Sequence, residues 1–163
     1  INFCQILFIL LSLPKGKSFV IKTFLPQTLK TNISLNNILY NCFETIYYYK
    51  PMQNPTSGEF YIIGKKYNPI DLKLIKKLLY FHKNFNKDKF IISPDKIFLT
   101  QYYKAITYLI DNNISWIQRT TLYYNNFNIL EKYSKFMTKI KTKKINEWIH
   151  RFNFKKINKK NLL

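Results

Sequence analysis

Two residue types stand out of place in a chain rich in Lys, Asn, Ile, Tyr and Phe. Lys22 lies inside the apolar run FVIKTF, where a lysine is costly to bury unless its charge is partnered or given up. Glu59, one of only 8 acidic residues, opens the run EFYIIG directly after a polar loop. A lysine perturbed by a neighbouring carboxylate is a candidate for acid–base chemistry. A plain ion pair at a strand end is the competing reading. The intervening segment holds one predicted helix and one predicted strand, which returns the chain to a neighbouring position in a sheet. Lys22 and Glu59 are therefore expected to meet at its edge.

The elements that must hold this pair are legible in the hydropathy pattern. Residues 2–13 read as a mostly apolar helix closed by the Pro14–Gly16 turn. Residues 18–24 have the pattern of a buried parallel strand. A helix follows over Asn32 to Phe43 with Ser34 as its cap, then strands at 45–50 and 59–65 separated by the loop through Pro55, Ser57 and Gly58. The helical crossover implies a parallel pair and the short link an antiparallel one. The expectation is an α/β sheet that ends in one reversed strand.

Beyond Tyr67 the pattern turns helical. Helices are expected over 71–85, 94–112, 114–124 and 128–152. The first two carry the buried stripes Leu72, Ile75, Leu78, Leu79 and Phe98, Tyr102, Ala105, Leu109. Residues 153–163 read as a frayed basic tail. The division is thus 1–67 for the α/β part, 68–152 for a helical extension, and the tail. The lysine-rich face Lys132, Lys135, Lys139, Lys141, Lys143 and Lys144 reads either as an RNA-binding surface or as a solvated helix face. Core packing is the expected fate of Trp116 and Trp148, with partner docking the other reading.

The net charge is +19, which favours a polyanionic partner, although Lys-rich coding bias produces the same excess. Cys4 and Cys42 lie in apolar segments with no metal-ligand spacing and read as buried thiols of a reducing, intracellular compartment. His82 and His150 read as solvated side chains rather than metal ligands. The apolar run Ile1 to Leu13 lacks a basic flank and a small-residue cleavage site. It reads as a buried helix of a longer protein rather than a secretion signal, and no stable membrane association is expected.

With these residues placed, the chain resembles a known family. CQILFILLSLPKGKSFVIKTF is similar to the helix, turn and strand before the second catalytic lysine of FtsJ-like RNA ribose 2′-O-methyltransferases. NNILYNCFETIYYYKPMQNPTSGEFYIIGKKY is similar to their helix, their F-x-x-v-x-x-x-KP stretch, their polar loop and their S-x-E-x-Y-x-v strand. Lys22, Phe43, Lys50, Pro51, Ser57, Glu59 and Tyr61 fall in register, and the wording is nearest the branch that methylates the first nucleotides of capped mRNA. The resemblance covers about residues 4–67 and implies the C-terminal part of a Rossmann-like class I methyltransferase sheet, followed by a helical extension. The family's Lys-Asp-Lys-Glu tetrad would draw its second lysine from Lys22 and its glutamate from Glu59. Lys50 and Ser57 would lie against the RNA backbone, with a solvated strand-end lysine and a turn residue as the competing readings. The resemblance also implies S-adenosylmethionine as methyl donor, RNA as partner, and no metal. The first lysine, the aspartate and the glycine-rich cofactor loop would lie upstream of Ile1. A noncatalytic basic RNA-binding module is the alternative.

Overall fold

A computed structural model describes residues 2–51 and 54–151. The elements follow the order α1 (Asn2–Ser12), β1 (Phe19–Phe24), α2 (Lys30–Cys42), β2 (Phe43–Tyr49), β3 (Glu59–Tyr67), α3 (Leu72–Lys83), α4 (Lys96–Asn125) and α5 (Phe127–Arg151). Two compact units result, Ile1–Gln118 and Arg119–Leu163, with the boundary inside α4.

The first unit is mixed α/β. In α1, Phe3, Ile6, Leu7 and Leu10 recur at helical spacing and are buried. The helix stops before Pro14, and the Tyr67 hydroxyl donates to the Leu10 carbonyl at 2.7 Å, satisfying one orphan acceptor of the last turn. Gly16 adopts φ +78°, which a glycine reaches without steric cost. Its N–H donates to the Tyr67 carbonyl at 2.7 Å and so ties the turn to the end of β3.

The strands form a three-stranded antiparallel sheet of order β1-β3-β2. The helical crossover does leave β1 and β2 running in the same direction. They do not pair directly, because β3 enters between them and runs opposite to both. β1 is consequently an edge strand with one open face, not the buried parallel strand its apolar run suggests. Phe19 and Thr23 are buried, while Val20, Lys22 and Phe24 are exposed. Gly64, opposite Phe19 in register, leaves room for two rings. A Cβ there would lie 2.8 Å from Phe19 Cδ1 and 2.9 Å from Phe43 Cδ1, and those rings pack edge-on at 4.8 Å.

The N-cap of α2 is Leu29, which makes no side-chain cap hydrogen bond, so Ser34 is not the cap expected of it. Ser34 sits fully buried inside the helix, where its Oγ donates to the Ile92 carbonyl and accepts from the Ile92 N–H, each at 2.8 Å. Thr31 Oγ1 likewise reaches the carbonyls of Asn86 and Lys87 at 3.0 Å, and Asn36 Oδ1 accepts from the Tyr48 hydroxyl at 2.9 Å. These polar residues are buried because each has a partner in a later segment. The apolar positions Ile33, Leu35, Ile38 and Leu39 form the centre of the core.

Asp71 caps α3, its carboxylate accepting from the Leu74 N–H at 2.7 Å. Of the stripe expected there, Leu78 is buried and Ile75 half-buried, whereas Leu72 and Leu79 are exposed. In α4 the stripe Phe98, Tyr102, Leu109 is buried together with Ile106, and Ala105 is half-buried. The two helices expected over 94–112 and 114–124 are a single helix. Asn113, at the expected break, turns its amide out to another segment instead of competing for its own backbone.

The second unit holds the end of α4 and α5. Lys139, Lys141, Lys143 and Lys144 are exposed on α5, and Lys144 pairs with Glu147 at 2.9 Å. The side chains of Lys132, Lys135 and Trp148 and the tail 153–163 lie outside the described residues. Trp116, in the first unit, is half-buried. Among the described residues no helix is long and apolar enough to cross a membrane.

Candidate functional site at the β1–β3 end of the sheet

The end of β1 and the start of β3 lie side by side, with Phe24 opposite Glu59 and Lys22 opposite Tyr61. In an antiparallel pair, residues directly opposite each other, and those two along either strand, share a face, so Lys22, Phe24, Glu59 and Tyr61 lie together on the face opposite the buried Thr23 and Phe60. This brings the Lys22 ammonium to 3.8 Å from Glu59 Oε2. The two residues meet as the sequence predicts, but the pair is not a buried one. The Lys22 side chain is 53% exposed and that of Glu59 20%, since among the described residues the outer face of the edge strand stays open.

Glu59 has a second partner. The Tyr61 hydroxyl donates to Glu59 Oε1 at 2.8 Å, so the carboxylate is held between a cation and a phenol. This hydrogen bond, reinforced by burial and by the carboxylate charge, raises the Tyr61 pKa above the ordinary tyrosine value. The lysine at 3.8 Å is beyond hydrogen-bond length and keeps donors for another acceptor.

The loop that delivers Glu59 is fastened from three sides. The Glu59 N–H donates to Ser57 Oγ at 3.0 Å, a local bond of the kind that shapes turns. Lys50, at the end of β2, donates to the carbonyls of Ser57 and Glu59, the latter at 2.9 Å. Burial lowers the Lys50 pKa, and the nearby Glu59 charge opposes that shift. Asn113 of α4 donates from Nδ2 to the carbonyls of Pro55 and Ser57, both at 2.9 Å. On the far side the Leu25 N–H reaches the Gly58 carbonyl at 2.8 Å, and the Gln27 amide holds Thr23 Oγ1 at 3.0 Å.

Lys22, Lys50, Ser57 and Glu59 are thus drawn to one end of the sheet. Lys22 and Glu59 meet through their side chains, whereas Lys50 and Ser57 shape the backbone that positions Glu59. Sequence reasoning did not assign Tyr61 as the partner of Glu59, although the S-x-E-x-Y-x-v stretch contains it and a two-residue spacing on a strand puts both on one face. Asn113 gave no local signal of this role, reading only as a break between two helices, because its partners lie more than fifty residues away. Cys4 is exposed, contrary to the reading of two buried thiols, because it falls on the solvent side of α1. Cys42 is buried.

No protein-family model matches the chain. It is 37% identical over 155 residues to an uncharacterized protein of Acanthamoeba polyphaga mimivirus, an alignment that covers 93% of this chain and 19% of the relative. The chain therefore spans about a fifth of the length of the curated relative it matches.

Proposed function

We propose that the chain is the C-terminal part of an FtsJ-like, S-adenosylmethionine-dependent RNA ribose 2′-O-methyltransferase, nearest the branch that acts on the mRNA cap. The observation that carries this reading is the Lys22–Glu59 pair. It joins two distant residues of the motif at 3.8 Å, on an open face where a substrate hydroxyl can reach the lysine. The reversed strand β3 adds support, because a sheet finishing in one reversed strand is what the resemblance requires.

A ribose 2′-hydroxyl is a poor nucleophile near neutral pH, so the protein must orient it and manage its proton. In this reading the Lys22 amine lies against the hydroxyl and takes or orients its proton. Glu59 fixes the lysine from one side while Tyr61 fixes Glu59 from the other. Lys50 and Ser57 hold the loop whose last residue is Glu59, and the outer surface of that loop lies along the RNA backbone.

The described residues do not fit S-adenosylmethionine. The 3 glycines are committed elsewhere: Gly16 to the turn after α1, Gly58 to the loop before β3, where its carbonyl accepts from the Leu25 N–H, and Gly64 to admitting two phenylalanine rings. None belongs to a loop that could cradle the cofactor, and the reading assigns that site, the first lysine and the aspartate to sequence upstream of Ile1. This same observation favours the second reading, a noncatalytic basic RNA-binding module.

Transfer of labelled methyl from S-adenosylmethionine to capped and uncapped RNA, measured on the protein made from its complete reading frame, separates the two. Lys22→Ala is expected to reduce transfer by at least about 100-fold, the scale of a lost acid–base group, with RNA affinity within about twofold of the parent. A parent protein that binds RNA and transfers no methyl group to it sustains the binding-module reading instead.

A further inference from the structure

The open face of the sheet carries more than the ion pair. One row across the strands reads Lys22, Tyr61, Tyr49, and the row beside it reads Val20, Ile63, Tyr47, with Phe24 beyond Lys22. Phe24 and Tyr49 are each 52% exposed and Tyr47 is 47% exposed, although aromatic rings elsewhere in these strands are packed away. Cations lie over two of these rings. Lys22 Nζ is 5.6 Å from the centroid of Phe24, and Lys65 Nζ is 5.1 Å from that of Tyr47.

A contiguous exposed apolar surface marks an interaction site, and its chemistry narrows the occupant. The rings offer flat faces, the flexible lysines over two of them supply positive charge and can swing aside for a planar group, and Glu59 is already engaged by Lys22 and Tyr61. Tyr47 and Tyr49 stand two residues apart on a strand, roughly 7 Å, so each ring can take its own planar group. Phe24 lies two strands away, on the order of 10 Å. A ligand with successive planar groups along a polyanionic backbone satisfies all three features. Single-stranded nucleic acid is that ligand, whereas a duplex keeps its base faces inside the stack. An acidic peptide would meet the lysines but leave the ring faces unused.

We infer that Phe24, Tyr47 and Tyr49 form a base-stacking platform for single-stranded RNA, with Lys65 against its phosphates. The inference rests on the RNA reading above and deepens it. The platform adjoins the Lys22–Glu59 pair, so bases stacked on it bring the ribose of a neighbouring nucleotide to that pair. The substrate class is thereby narrowed to unpaired RNA segments.

The test is fluorescence anisotropy of a labelled ten-nucleotide single strand and of the matching duplex, titrated with the complete protein over a range of salt concentrations. Replacing all three rings, F24A/Y47A/Y49A, is expected to weaken single-strand binding by about 100-fold or more, at roughly tenfold per lost stack, with the salt slope unchanged. The ring-retaining variant F24Y/Y47F/Y49F is expected to bind like the parent. Lys65→Gln is expected to lower the slope of log affinity against log salt by about 0.7 with a smaller loss of affinity. Should the triple alanine variant not fold, Phe24→Ala alone is expected to show the tenfold loss. A parent protein that binds RNA while the alanine variants stay within twofold of it overturns the platform and leaves the RNA reading standing. Equal affinity for duplex and single strand does the same. A parent protein with no RNA affinity at low salt overturns both.

Discussion

The two faces of the small sheet are made by the same three strands and differ in almost every physical respect. Toward α1 and α2 the strands present Phe19, Thr23, Phe60 and Ile62, all buried, with Ile46 and Tyr48 packed beside them. Away from the helices they present Val20, Lys22, Phe24, Tyr47 and Tyr49, all largely exposed, around the half-buried Glu59 and Tyr61. Strand periodicity alone separates the two sets. The covered face is where stability resides. The open face holds charged and aromatic groups that add little to the fold, and residues that contribute little to folding yet converge in space are candidates for function.

Substitutions on opposite faces should show this most strongly. Phe60 is fully buried near the start of β3, and Phe60→Ala is expected to cost about 3–5 kcal/mol through lost transfer energy and the cavity left behind. Tyr49→Ala, on the adjacent strand but facing outward, is expected to cost under about 1 kcal/mol. Urea denaturation of both variants checks the pair. Similar losses would mean that the outer face is covered in the folded protein.

Gly64 sharpens the comparison, since it lies on the covered face and supplies space rather than contact. Gly64→Ala would bring a methyl group to 2.8 Å from Phe19 Cδ1 and 2.9 Å from Phe43 Cδ1, far inside ordinary packing distance. Overpacking of this kind is expected to cost about 1–3 kcal/mol, read as a lower urea midpoint at unchanged slope.

The two cysteines repeat the contrast between covered and open surfaces in chemical form. Burial pushes the Cys42 thiol up from 9.0 to about 12, while Cys4 is exposed on α1. At pH 9 an alkylating agent is expected to modify Cys4 and spare Cys42 until denaturant is added, which mass spectrometry of the labelled peptides will report. The linkage has a definite sign. The unfolded chain releases the Cys42 proton near pH 9 and the folded chain only near pH 12. The stability that this neutral thiol contributes is therefore present below pH 9 and lost progressively between pH 9 and pH 12.

What the sequence revealed of this arrangement depended on the range over which each signal acts. The order of helix and strand through residue 67 and the meeting of Lys22 with Glu59 were legible, because they follow from local periodicity and from the lengths of the connections. The position of β3 between β1 and β2 was not. A short link predicts pairing with β2 but is silent about the other edge of β3, so the run FVIKTF was read as a buried strand when it is an edge. The Ser34 cap failed for a related reason. Serine before an apolar run is a local start signal, yet here Ile92 supplies both a donor and an acceptor that allow the hydroxyl to sit inside the helix. Asn113 carried the same ambiguity, reading as a helix break in isolation while serving as the clamp on the loop before Glu59.

The smallest expected effect on stability is also the most informative about function. Lys22 is 53% exposed and 3.8 Å from Glu59, so solvent screens the attraction and the long side chain loses entropy in making it. Lys22→Ala is expected to change stability by less than about 0.5 kcal/mol. Glu59 retains its hydrogen bond from Tyr61 in that variant, so the carboxylate is not left without a partner. A lysine that served chiefly to neutralise Glu59 would reveal itself by a larger loss, relieved when Glu59→Gln is introduced in the same chain. A loss near zero, with no coupling between the two substitutions, removes folding as the reason for a lysine at this position. The open-face pair would then stand to the covered face as a site stands to its scaffold, with its effect to be sought in the activity proposed for it.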